Sequence, residues 1–247
     1  MKSFIKKLLQ KILGFQTYLF VFSVFTIGTL RWNKKEADFL YFLKLIPVGG
    51  LVLDIGANIG IMTYHLAKKL KQSKILCFEP IPANVRTLKT VQKFFHLNNA
   101  VVYDFALGDQ QGEAEMMMPV LNQVKMQGLS HVVHPTIHDN GSGDNFKVRV
   151  ETLDGLQVHK TFGLPVHAIK MDVENFEYFV LKGAEKTIDQ YRPLIYTELW
   201  DNENRKNCFH FIREKGYVIM VLDQGVLKPF NPEKHRTQNF FFLPEKE

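Results

Sequence analysis

From Gly50 onward the chain alternates short apolar runs with longer segments whose apolar residues return every three or four positions. The runs are LVLDI (51–55), ILCFE (75–79), VVYDFAL (101–107), HAIKMD (167–172), LIYTEL (194–199), YVIMVLD (217–223) and NFFFLP (239–244). Runs without polar alternation are expected of parallel strands covered on both faces. The intervening periodicity predicts helices over 60–71, 84–95, 175–190 and 203–215. This order argues for an α/β fold, an open doubly wound sheet of seven strands that is mostly parallel. Turn residues at Asp223-Gln224-Gly225 and from Pro229 to Pro232 predict that the last two strands pair antiparallel. Between the halves, 113–119 and 146–153 alternate at period two and predict an inserted β-ribbon. The loop between them, about 120–145, holds Gly128, Pro135, Gly141 and Gly143. A loop of that length is more often functional than idle, so we expect a mobile cover over the site, with a surface insertion as the alternative.

Residues 1–49 follow a different pattern. Phe4, Ile5, Leu8, Leu9 and Ile12 recur at helical spacing with Lys6, Lys7 and Lys11 interleaved. Such a short basic amphipathic helix suits an anionic lipid surface. The very apolar stretch after Gly14 is interrupted by Gln16, Thr17, Ser23, Thr26 and Thr29. Counted from Ile12 to Leu30 it would span about 28 Å as a helix, marginal for a bilayer core. A transmembrane anchor, a secretory signal without a small-residue cleavage site, and a helical extension packed on the following domain all compete. The interrupted polarity favours the last, with peripheral contact to anionic membrane through residues 1–30. A further helix is expected over 36–46, stopped by Pro47 and Gly49-Gly50. The chain thus divides into a helical extension (1–49) and a domain (50–247).

Charge sharpens this division. The 247 residues carry 31 Lys plus Arg and 25 Asp plus Glu, and residues 1–50 hold eight of the bases but only two of the acids. The remainder is neutral and shows no basic groove interleaved with aromatics, so no nucleic-acid partner is expected. Two cysteines exclude a disulfide scaffold, and Cys77 within an apolar run reads as a buried thiol. A cytoplasmic location, peripheral on the inner face of the membrane, is the expectation.

Candidate chemistry begins at Asp54-Ile55-Gly56-Ala57-Asn58-Ile59-Gly60, directly after a buried strand and opening a helix. Gly56 and Gly60 allow a sharp turn and close approach of a ligand to the backbone, and the helix start offers unpaired N–H groups. No Gly-Lys-Ser/Thr follows, and the spacing is not G-x-G-x-x-G, so neither phosphate-binding signature applies. Glu79 ends the second strand, where it can accept ribose hydroxyl protons; a helix-capping acid before Pro80 is the alternative. Asp54 can orient the turn or meet an ammonium group, and it would repel a diphosphate. A ligand with ribose, adenine and an amino-acid tail, S-adenosyl-L-methionine, satisfies these terms.

Taken in order, these motifs resemble the FkbM-type family of S-adenosylmethionine-dependent methyltransferases over about residues 50–243. Asp54 to Gly60 is similar to D-x-G-A-N-x-G, and Phe78-Glu79-Pro80 with Asn84 to F-E-P-x-x-x-N. Ala106-Leu107-Gly108-Asp109 resembles A-L-G-D, Val150 to Asp154 resembles V-x-T-L-D, and Lys170 to Glu177 resembles K-x-D-V-E-G-x-E, followed by Leu181-Lys182-Gly183-Ala184. The resemblance implies a class I methyltransferase fold and O-methylation of glycans or natural products. It implies donor contacts at Asp54, Gly56, Asn58, Gly60, Glu79, Pro80, Asn84 and Ala106. Asp172 is expected to face donor and acceptor, with Glu174 or Glu177 holding the sugar or the turn and Lys170 pairing with these acids. Glu198 and Trp200 are further pocket candidates. Asn175 stands where the family has glycine, and its side chain is expected to narrow the acceptor pocket. His131, His134 and His138 near Asp139 are spaced like zinc ligands, with one of them as a base or all solvent-exposed as other readings; no metal is assigned. The expected activity is methyl transfer to a hydroxyl of a glycan, glycolipid or related small metabolite. Methylation of protein or nucleic acid, or a degenerate scaffold module, are the alternatives.

Overall fold

The computed structural model describes residues 2–121, 124–133 and 143–245. The apolar run at 51–55 forms β1 (Leu51–Ile55), buried along its whole length at the middle of the main sheet. Alternation of side chains across its two faces feeds two cores: Leu51, Leu53 and Ile55 join one, and Val52 joins the other. After α4 (Ile61–Lys69) come β2 (Lys74–Phe78), α5 (Pro82–Phe94) and β3 (Ala100–Tyr103). The second half supplies β9 (Val166–Met171), α8 (Glu177–Lys182), α9 (Glu185–Tyr191), β10 (Leu194–Glu198), α10 (Glu203–Glu214), β11 (Tyr217–Asp223), β12 (Val226–Pro229) and β13 (Asn239–Pro244). The sheet order is β12-β11-β13-β10-β9-β1-β2-β3. Strands β10, β9, β1, β2 and β3 run parallel, while β13, β11 and β12 pair antiparallel.

Each of the seven expected runs supplies a strand to this sheet, and β12 makes an eighth at its edge. Gln224 and Gly225, both at positive φ (50° and 81°), close a tight hairpin from β11 into β12. The sequence 226–229 is too short and mixed to announce a strand. The run 101–107 is not one strand. Its end, β4 (Ala106–Leu107), leaves the main sheet and pairs with β8 (Gly143–Glu151) in a second sheet. Phe105, packed against Phe78 and Tyr103, fills the bend between them. The expected ribbon is the long pair β5 (Gly112–Leu121) and β8, enlarged by β6 (Val124–Lys125) and β7 (His131–Val132) into five strands with β4. The expected cover therefore has structure of its own, including a 3-10 turn at Gln127–Leu129. Pro135 and Gly141 lie outside the described residues. The helix expected over 175–190 is two helices, because Asp154 accepts from Lys186 N, Thr187 N and Thr187 Oγ1 and so begins α9 anew. Asp154 lies on α6 (Leu153–Leu156), which with α7 (Val158–Phe162) links β8 to β9.

The extension folds as α1 (Lys2–Leu13), α2 (Phe15–Thr29) and α3 (Ala37–Leu45). Gly14, at φ 72°, breaks the segment that a transmembrane anchor would require to be continuous. Among the described residues no helix is long and apolar enough to cross a membrane. The polar interruptions of α2 are used against the domain: Gln16 Nε2 donates to Thr87 Oγ1 (2.7 Å) and Ala83 O (3.1 Å), and Ser23 Oγ to Ile59 O (2.9 Å). Tyr18 and Leu19 are buried with Ile59 and Ala83, each contributing about 1.5–3 kcal/mol. α3 buries Phe39 and Phe42 against Tyr196, and Asp38 accepts from Asn239 Nδ2 at 3.0 Å.

Candidate active site

The carboxyl ends of β1, β2 and β9 meet at the glycine-rich turn. Gly56 N and Ala57 N both donate to Phe78 O at 3.0 Å, and Asn58 N donates to Glu79 Oε2 at 2.9 Å. The two strand tips thus form one cradle. Glu79 Oε1 accepts from Ile81 N (2.9 Å) and Asn84 Nδ2 (3.2 Å), so Glu79 also supports the start of α5. Burial pushes its carboxyl up to about 7, although the Ile81, Asn84 and Asn58 donors pull the other way. Three of its roughly four acceptor positions are filled, leaving one.

The glycines serve the protein's own packing. Gly56 sits at φ 74°, and a Cβ there would lie 1.9 Å from Asp172 O; Gly60, at φ 85°, would meet Leu88 Cδ1 at 2.7 Å. Close approach is required, as the sequence suggests, but by the β9 tip and by α5. Gly56 and Asn58 border the open space, whereas Gly60 lies behind the turn.

Asp54 is fully buried beneath this bend. Its Oδ2 accepts from Thr63 Oγ1 (2.6 Å), and its Oδ1 pairs with Lys170 Nζ at 3.3 Å. Lys170 Nζ also donates to Gly56 O at 3.1 Å. Burial lowers the ammonium pKa, and Asp54, Asp172 and Glu79 more than offset it, leaving it raised. Removing one partner of such a buried pair strands a charge. Asp54 therefore orients the turn rather than touching the space above it.

Beyond β9, Glu174 (φ 52°) and Asn175 (φ 73°) both adopt left-handed backbone. The turn is pinned from beneath: Val173 N donates to Glu177 Oε1 (3.1 Å), and Asn204 Nδ2 donates to Glu177 Oε2 (2.7 Å). Asn175 Oδ1 accepts from Asn202 Nδ2 at 2.6 Å, so its side chain is drawn toward α10 and does not narrow the space beside Asp172. Burial pushes Glu177 up to about 7. Burial pushes Glu174 to about 8, with the Asp172, Glu198 and Glu177 charges adding to it.

Two chambers meet here. The first encloses about 610 Å³, part of it open to solvent, lined by Glu79, Pro80, Asn84, Ala106, Leu107, Asp172 and Glu174. Asn84 is 1 % exposed, and its Oδ1 has no hydrogen-bond partner. The second, about 670 Å³, is walled by Phe22, Thr26, Leu30 and Glu36 of the extension and by Lys170. Gly56, Asn58, Asp172, Gln127 and Gly128 border both. Burial raises the Glu36 carboxyl, with the Asp172 charge adding to it. No motif signals Glu36, Phe22, Thr26, Leu30 or Gln127; their place comes from tertiary packing of the extension and of the cover.

Other candidates lie apart. Glu198 is raised by burial and by Asp172, yet neither it nor Trp200, 42 % exposed, borders a chamber. His131 is buried with Nδ1 at 3.0 Å from Leu129 O; His134, His138 and Asp139 lie outside the described residues. Among the described residues no group of three or more His, Cys, Asp or Glu is arranged to hold a metal ion. The first chamber fits S-adenosylmethionine in its donor set: a carboxylate with one acceptor position left, an orphaned buried amide oxygen, and the apolar surfaces of Ala106 and Leu107.

Comparison with known proteins agrees with this geometry. The family model described as Methyltransferase FkbM domain matches residues 54–219. Methyltransferase 1 of Beauveria bassiana (strain ARSEF 2860) is 24 % identical, the match covering 74 % of this chain and 78 % of that protein. Methyltransferase sdnD of Sordaria araneosa is 26 % identical over 76 % of this chain and 81 % of its own. The crystal structure of methyltransferase FkbM from Methylobacillus flagellatus KT superposes with a TM-score of 0.54 at 17 % identity, covering 80 % of this chain. This chain spans only 44 % of that protein's length, and the likeness is one of fold. The family match opens on Asp54, where the cradle begins, and runs through both strand tips that flank it into β11. The chain belongs to the FkbM methyltransferase family and is an S-adenosylmethionine-dependent methyltransferase.

Proposed function

We propose that this enzyme transfers the methyl group to a hydroxyl oxygen of a glycan, glycolipid or related small metabolite. One observation carries the reading: the chamber lined by Glu79, Asn84 and Ala106 and a second chamber share the Asp172 edge. When bound, S-adenosylmethionine supplies a methyl group already activated on a sulfonium. The chain's own residues align the acceptor and manage its proton. Glu79 would accept one ribose hydroxyl at its remaining position, and Asn84 Oδ1 would accept the other. Pro80, Ala106 and Leu107 would hold the adenine, and Asn58 and Gly56 the methionine end.

The acceptor hydroxyl would occupy the second chamber and donate to Asp172, which would take the proton as the oxygen–carbon bond forms and the methyl–sulfur bond breaks, its electron pair staying on sulfur as a neutral thioether. A positioned base of this kind contributes typically 10²- to 10⁴-fold, and alignment supplies several kcal/mol more. Glu174, raised to about 8, is mostly protonated at neutral pH and donates a hydrogen bond to a neighbouring acceptor oxygen. Lys170 and Glu177 are positioning residues: one fixes the glycine turn, the other the β9 turn. Peripheral contact with anionic membrane through residues 1–30, on the cytoplasmic face, brings the enzyme to membrane-associated glycans.

Calorimetry with S-adenosylmethionine tests the donor site, and absence of binding returns the chain to a scaffold role. Incubation with labelled donor and extracts of polar lipids, glycans, protein and nucleic acid, followed by mass analysis for a gain of one CH₂, tests the acceptor. Label confined to protein or nucleic acid overturns the reading.

A further inference from the structure

A second feature of the extension lies away from both chambers. A groove of about 1510 Å³, open to solvent, runs between α2, α3 and α4. Its floor is apolar, with Val24, Ile27, Leu40, Leu43, Tyr64 and Phe95, and its rim carries Arg31, Lys44, Lys68 and Lys69. No acidic residue lines it. All four cations are exposed, and among the described residues none has a carboxylate partner. This contrasts with Lys125, Lys182, Lys215 and Lys228, each of which pairs with an acid. The floor also holds His65, whose buried Nε2 has no hydrogen-bond partner.

The neighbouring surface has the same character. Val21, Phe25 and Trp32 are exposed by 48 %, 67 % and 66 %, and Val21 and Phe25 share one helix face by their spacing. Residues 1–35 contain seven Lys and Arg and no Asp or Glu. Lys68 Nζ donates to Phe95 O at 2.7 Å, and Arg31 and Lys44 lie over the rings of Trp32 and Tyr41, contacts that leave all four charges unneutralised. Such cations around an apolar floor, beside exposed aromatics, complement an anionic head group with attached hydrocarbon.

We propose that this groove docks the enzyme on an anionic bilayer, seating the head group of one acidic phospholipid among Arg31, Lys44, Lys68 and Lys69. The inference rests on the membrane-contact part of the function proposed above and extends it from residues 1–30 onto α3 and α4. Membrane attachment then involves the catalytic domain directly and fixes its orientation.

Flotation of the full chain with vesicles tests it. The chain is expected to bind vesicles of equal parts phosphatidylglycerol and phosphatidylcholine and to ignore phosphatidylcholine alone. At about 1 kcal/mol per cation near such a surface, Lys68→Gln with Lys69→Gln lowers partitioning about thirty-fold, and Lys44→Gln lowers it further. Affinity for S-adenosylmethionine stays unchanged in these variants, which separates loss of docking from loss of fold or of donor binding. Undiminished flotation of the Lys68/Lys69 variant overturns the proposal, as does a loss seen only on changing Lys7 and Lys11. Inorganic phosphate that stabilises the wild type but not the variant, with no vesicle binding by either, identifies a soluble-phosphate site instead and also overturns it.

Discussion

Glu79 shows how much one buried carboxylate can control. In the free protein its carboxyl titrates near 7 because burial outweighs three hydrogen bonds. Ribose hydroxyls donate hydrogen bonds, and the ionised carboxylate is the stronger acceptor with more positions to accept them. Affinity for S-adenosylmethionine is therefore expected to rise from pH 6 to pH 8 and then level, measured by calorimetry. Glu79→Gln should abolish that dependence and weaken binding about 10- to 100-fold, the worth of a hydrogen bond to a charged group. Asp172 makes a different prediction. Asp172→Asn keeps the shape of the junction and removes the base, so kcat should fall about 10²- to 10⁴-fold with little change in donor affinity. A loss of donor binding without a fall in kcat would assign Asp172 to the donor instead.

At the level of elements, the turn between β1 and α4 depends on what packs against it. Gly56→Ala would set a Cβ 1.9 Å from Asp172 O at φ 74°, forcing β1 and β9 apart. Strain of about 1–3 kcal/mol is expected, read as a lower unfolding midpoint together with lost donor binding. The same scale explains what was legible in the sequence. Strands β1, β2, β9, β10, β11 and β13 were readable because each is a run long enough to show its burial, and the order of motifs located both tips of the cradle. The break at Asp104-Phe105 was not, since an apolar run looks alike whether it continues in one sheet or crosses to another. Two-residue strands such as β6 and β7 have no period to read. Asp54 appeared as a ligand contact because sequence places it at a strand end without saying which way it faces. Thr63 and Lys170, nine and 116 positions away, turn it inward.

For the molecule as a whole, three carboxyls held above their ordinary range give an unusual stability profile. Glu79, Glu174 and Glu177 titrate at about 7, 8 and 7 when folded, against about 4.3 in an unfolded chain. Between those limits the folded state binds more protons than the unfolded state, so stability falls as pH rises. The ligand-free enzyme is expected to melt highest near pH 5 and progressively lower up to pH 8, by scanning calorimetry. A midpoint that instead climbs over this window would mean that these groups are ionised in the fold.

The extension reaches the cover as well as the wall. Gln10 on α1 and Lys125 on β6 exchange a pair of hydrogen bonds, each at 3.3 Å. Two and three residues further along stand Gln127 and Gly128, at the partition shared by both chambers. The partition cannot lift far without either undoing that handclasp or carrying α1 with it. The partition between the chambers is thereby tied to the first helix of the chain, through a residue that lines neither chamber.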